Sequence, residues 1–105
     1  MIPRMEVLAL SLLMERELRA NDAARGGDSW KAALPPVLAA ELVEQARKLN
    51  SLVEAWSIGP RGRYHANVGV AAIASKAADI ANYAMMVADV CGALAMTVER
   101  PGGDA

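Results

Sequence analysis

The feature that most restricts this chain is the run Lys76–Leu94, KAADIANYAMMVADVCGAL, which is largely apolar yet keeps a helical period in its few polar groups. Asp79, Asn82 and Asp89 recur at i, i+3 and i+10, so they share one side of a 3.6-residue helix, with Ser75 one turn before Asp79. Ile80, Ala81, Ala84, Met85, Val87, Ala88 and Cys91 fill most of the remaining circumference. A helix apolar nearly all round is either buried in protein or set in a membrane. Asn82 and Asp89 interrupt the stretch Ile80–Val98, and no basic cluster brackets it closely, which favours burial in protein. The plain reading is a central core helix carrying two aspartates at its wetter edge.

Other helices are legible on either side of it. Pro3 suits a first turn, and Met5, Leu8 and Leu12 with Val7, Leu10, Met14 and Leu18 form one broad apolar stripe, predicting a helix over about residues 3–21. Asn21 and Asp22 then lead into a glycine-broken loop, RGGDSWKA, in which Trp30 is expected to cap the core. Pro35 and Pro36 open a second helix whose buried side is marked by Leu38, Leu42, Leu49, Val53 and Trp56. SIGPRGR, residues 57–63, is a loop. From Tyr64 the pattern is helical again, either continuous into the central helix or broken at Gly69. Residues 1–98 read as one helical domain and 99–105, with Pro101-Gly102-Gly103, as a frayed tail.

Composition narrows the function classes. Hydrophobic residues make up 54% but aromatics only 4%, so the core must be assembled from Ala, Leu, Val and Met, and a second copy of the chain is one way to cover its apolar faces. Eleven basic against twelve acidic residues give no electrostatic case for nucleic acid or a membrane surface. One cysteine, Cys91, excludes an internal disulfide and fits a reducing cytoplasm, and on an apolar helix face it reads as inert core. No secretion signal is visible around VLALSLLM, which Glu6 and Glu15 flank. His65 reads as a surface or capping residue, no serine has a nucleophile setting, and the glycine pairs match neither a P-loop nor a dinucleotide fingerprint.

The fifteen residues KAADIANYAMMVADV resemble the second motif helix of the MazG-like all-α nucleoside triphosphate pyrophosphohydrolases, notably the short forms common in phage genomes. There the helix reads approximately Glu-Ala-Ala-Asp-Val-Ala-Asn-Phe-Ala-Met-Met-Ile-Ala-Asp. ANDAARGGDSWKA resembles the family's Asn followed by Gly-Gly-Trp, with Asp28 and Ser29 inserted before Trp30. The resemblance implies a small antiparallel helix bundle with three main helices. It also implies a metal site built from Glu-Glu-x-x-Glu on the second helix and Glu-x-x-Asp on the third. Such carboxylates hold Mg²⁺ against nucleotide phosphates and activate water for attack at the α–β anhydride.

On this chain LVEQARKL places Glu44, Gln45 and Lys48 at the first three of those positions, and KAAD places Lys76 and Asp79 at the other two. One Glu, one Gln, two Lys and one Asp carry no net charge, whereas Mg²⁺ needs several anionic oxygens. Glu41, one turn before Gln45, is the substitute ligand within reach. Three readings of the position stand. Lys48 and Lys76 close the groove as ion pairs with Glu44 and Asp79, they bind phosphate without metal, or a residual Mg²⁺ site remains. The implied functions divide in the same way. One is a catalytically degenerate scaffold that binds another protein, in the manner of phage or mobile-element inhibitors of host defence such as anti-CRISPR proteins. The other is a residual pyrophosphohydrolase or a metal-free nucleotide binder. The first needs no cofactor, and the residual enzyme would need Mg²⁺.

Overall fold

The computed structural model describes residues 2–25, 27, 29–57 and 69–98, and these are all-helical with no strand among them. Three long helices dominate: α1 (Met5–Arg25), α2 (Pro35–Ser57) and α3 (Val70–Val90), followed by a short α4 (Ala93–Val98). A 3-10 turn, Ser29–Ala32, lies between α1 and α2. The sequence expectations for Tyr64, His65 and the tail 99–105 fall outside the described residues.

Helix α3 is the central element, with both α1 and α2 packed on it. Ser75 meets Glu17 while Asn82, further along α3, meets Met14, so α1 runs against α3. Lys76 meets Gln45 and Gly69 lies beside Trp56, so α2 also runs against α3. The three-helix antiparallel bundle expected from the sequence is therefore present.

The polar stripe of α3 explains how the helices are pinned. Ser75 Oγ donates to Glu17 Oε1 at 2.9 Å, and Asn82 Nδ2 donates to the Met14 carbonyl at 3.0 Å, both on α1. Lys76 Nζ donates to Gln45 Oε1 on α2 at 2.6 Å. Trp30 Nε1 donates to Asp89 at 3.3 Å, and Lys31 pairs with the same carboxylate at 3.6 Å, tying the 3-10 turn to the end of α3. Polar groups on an otherwise apolar helix thus choose which neighbour sits where. Non-directional burial cannot make that choice.

Several expected details differ. Helix α1 begins at Met5, just past Pro3, and continues to Arg25, because Ala20, Ala23 and Ala24 are strong helix formers that outweigh Asn21 and Asp22. Its single broad stripe resolves into two opposed faces. Leu10, Leu13, Met14 and Leu18 are half-buried, while Met5, Leu8 and Leu12 are 74%, 40% and 64% exposed. On α2 the half-buried stripe passes through Leu42, Leu49, Leu52 and Trp56 below the buried Leu38, while Val53, at the edge of that stripe, is 38% exposed.

The central run does not continue to Leu94 as one helix. Helix α3 ends at Val90, Cys91 caps it, and Gly92 takes a left-handed φ of 82° that turns the chain into α4. The Gly92 N–H donates to the Asp89 carbonyl at 3.0 Å, the bond expected of the glycine after a helix C-cap. Cys91 is consequently exposed rather than part of the core. At the other end, Gly69 is the N-cap of α3.

The core is thin. Among the described apolar residues only Leu38, at 5% exposure, and Ala78, at 0%, are fully buried. Small side chains let the helices approach closely but remove little apolar area from water. No described helix is long and apolar enough to cross a membrane.

Candidate functional site

Residues of α1, the 3-10 turn, α2 and α3 together line an open cavity of about 500 Å³. Its walls come from the C-terminal half of α1 through Glu17, Leu18, Asn21 and Asp22, and from the turn through Trp30. The N-terminal half of α2 adds Leu38, Glu41 and Gln45, and α3 adds Lys76, Asp79, Asn82, Tyr83 and Met86. Local sequence accounts for this. Glu41 and Gln45 are i and i+4 on α2, and Lys76, Asp79 and Asn82 follow at i, i+3 and i+6 on α3, so each set keeps to one side of its helix.

Of the positions singled out in the sequence, the cavity gathers Glu41, Gln45, Lys76 and Asp79. Glu44 and Lys48 stand elsewhere. Glu44 is exposed and paired with Arg47 at 3.1 Å on the outer surface of α2, and Lys48 is exposed with no partner among the described residues. The closed cluster of two lysines with Glu44 and Asp79 therefore does not form. What forms is smaller: Lys76 lies 2.6 Å from Gln45 Oε1 and 3.5 Å from Asp79 Oδ2. The physical reason is the rotation of α2. Leu38, Leu42, Leu49 and Leu52 turn toward the bundle, and the positions of Glu44 and Lys48 are carried round to solvent.

The donor set does not fit a bound Mg²⁺. Among the described residues no three His, Cys, Asp or Glu side chains are grouped so as to hold a metal ion. Gln45, the neutral member of the α2 pair, already accepts from an ammonium.

Sequence reading missed two parts of the site. Glu17 and Asp22 belong to the cavity, yet on α1 they look like ordinary solvated charges, and only the crossing of α1 over α3 brings them in. Asn82 is 4% exposed, and its Oδ1 is buried with no hydrogen-bond partner among the described residues. Its position within an apolar helix was the available signal. Trp30 and Lys31, placed in a loop by sequence, meet at Asp89, with the Lys31 ammonium 5.8 Å from the Trp30 ring centre. Lys31 is thus already paired with a carboxylate. No family model, no curated protein and no solved structure matches this chain.

Proposed function

We propose that this chain is an interaction protein: a helical scaffold resembling the MazG-like type that acts by binding another protein and does not hydrolyse nucleotides. The observation that carries this reading is the outer face of α1, where Met5, Leu8 and Leu12 line up at i, i+3 and i+7 and remain exposed. Those residues make an anchor stripe on a helix whose opposite face is already used against α3. Fully covering a side chain of this size is worth roughly 1.5–3 kcal/mol, so three partly exposed ones supply on the order of 5 kcal/mol. Association costs about 4–15 kcal/mol, so the stripe needs polar contacts around it to make a specific complex. In the phage or mobile-element setting suggested by the resemblance, the partner is a component of a host defence complex. A second copy of the chain is the competing occupant.

A second reading draws on Glu41 and Asp79 lining one cavity: residual metal-dependent pyrophosphohydrolysis, or nucleotide binding without metal. One experiment separates the two. The wild-type protein and a Met5→Gln/Leu8→Gln/Leu12→Gln variant are compared for stoichiometric complex formation by light scattering and affinity capture. Pyrophosphate release from nucleoside triphosphates is measured in parallel with Mg²⁺ or Mn²⁺. The expected result is a defined protein complex that the variant loses while keeping its helicity, with no release above a protein-free control. Metal-dependent turnover that vanishes in Glu41→Ala or Asp79→Ala overturns the binding reading.

A further inference from the structure

The three long helices do not close on one another. Ser75 and Asn82 face α1 while Lys76 and Gly69 face α2, directions about 130° apart around α3 at about 100° per residue. Both α1 and α2 pack on α3, and they barely approach each other. The described long helices are therefore a single layer with α3 in the middle, and the cavity occupies one face of it. A stable domain needs two layers to enclose a core. A one-layer chain accounts for the thin core, in which only Leu38 and Ala78 among the described apolar residues are fully buried.

The opposite face of the layer is apolar. On α3 the residues turned away from the cavity are Val70, Ala74, Ala77, Ala81, Ala84 and Ala88, with no charge among them. Val70 is 50% exposed, Ala84 is exposed, and Val53 of α2, 38% exposed, borders the same face. The alanines let a second layer of helices approach to the short end of the usual 8–10 Å between axes. The size of the face suits a pair of chains. Helix α3 has 21 residues, about 31 Å, and three helices side by side span about 20 Å, roughly 600 Å². Specific pairs bury about 600–1,000 Å² on each partner.

Two features select a second copy as the occupant. The core is incomplete in every chain that folds, so its cover must be present wherever the chain is, and another copy always meets that condition. An uncharged face also meets its own twofold image without setting like charges against each other.

We infer that this chain is a homodimer in which the alanine faces of α3 from two copies pack together, making two layers around one shared core. The outer stripe of Met5, Leu8 and Leu12 lies on the far side of α1 from α3 and stays free for the different protein proposed above.

Light scattering of the full chain should give twice its 11.1 kDa mass, and the thermal midpoint should rise with each tenfold increase in protein concentration, by mass action. Ala84→Glu sets a carboxylate on the face at a position exposed in the single chain, and should weaken the dimer at least tenfold. Ala40→Glu, the same change on the exposed far side of α2, should leave the dimer intact. The Met5→Gln/Leu8→Gln/Leu12→Gln variant should leave it intact as well, so loss of the dimer and loss of the other protein are read separately. Should Ala84→Glu fail to fold, Val53→Gln serves in its place, with the concentration dependence of the wild-type midpoint as the second measurement. A wild-type protein that stays monomeric, with a midpoint independent of concentration, overturns the proposal. So does a dimer that survives both face variants, and its loss in the α1 variant would then seat the second copy on the outer stripe.

Discussion

Replacing Asn82 tests the core of this bundle at its least conventional point. Asn82 is 4% exposed, donates one hydrogen bond of 3.0 Å to the Met14 carbonyl, and leaves Oδ1 without a partner. The single bond contributes about 1 kcal/mol net, and the unpaired oxygen costs about 1–3 kcal/mol. Asn82→Leu keeps nearly the same size and branching while removing both terms. The variant should therefore be as stable as the parent or more stable by up to about 2 kcal/mol. Asn82→Ala removes the same polar terms and adds a void, which costs on the order of 1–2 kcal/mol for the few atoms lost. The expected order is Asn82→Leu at or above wild type, with Asn82→Ala below Asn82→Leu. Urea denaturation followed by far-UV circular dichroism measures it, and in a domain of this size each kcal/mol moves the thermal midpoint by about 4–8 °C. If Asn82→Leu loses more than about 1 kcal/mol, Oδ1 is satisfied in solution, for example by an ordered water, and the reasoning fails.

Gly92→Ala should cost about 1–2 kcal/mol in a thermal melt, because the left-handed φ of 82° between α3 and α4 disfavours any side chain, and an unchanged midpoint would refute that cap. Asp89→Ala should destabilise at least as much as Asp79→Ala, by no more than about 1 kcal/mol: the two carboxylates are 31% and 28% exposed, but only Asp89 holds both Trp30 and Lys31. A Trp30 fluorescence shift in Asp89→Ala would accompany the loss. Glu44→Ala and Lys48→Ala should each stay within about 0.5 kcal/mol of wild type, since both side chains are exposed on α2. Gln45→Glu with Lys76→Glu should place new carboxylates beside Glu41 and Asp79 and make the melting midpoint rise with millimolar Mg²⁺, by mass action on the folded state. Adding Lys48→Glu to that pair should produce no further rise, and a large one would mean that α2 presents a different face to the cavity.

The resemblance of Lys76–Val90 to a MazG-like motif helix suggested five site positions, and the structure separates them. Gln45, Lys76 and Asp79 meet at one cavity because side chains at matched spacing on two antiparallel helices converge there. Glu44 lies one residue from Gln45, which on a helix is a rotation of about 100°, enough to move a side chain from cavity to solvent. A motif aligned by letters carries no information about that rotation. The leucines of α2 decide it by turning inward.

By itself, the sequence determined the helical class, the positions of the three long helices and the special character of α3. Apolar residues at three- and four-residue intervals, the Pro35-Pro36 start and the glycine loop after Arg25 act locally, through backbone geometry and the helical period. Only the tertiary structure decided which face of α1 is used, because Met5, Leu8 and Leu12 are as apolar as Leu10, Leu13 and Met14. Ser75 and Asn82 settle that choice through directional bonds to Glu17 and Met14 across the bundle. The same crossing brings Glu17 and Asp22 to a cavity shared with Glu41 and Asp79, residues distant in the chain. Such a grouping depends on the angle and register of packed helices, which no local period contains.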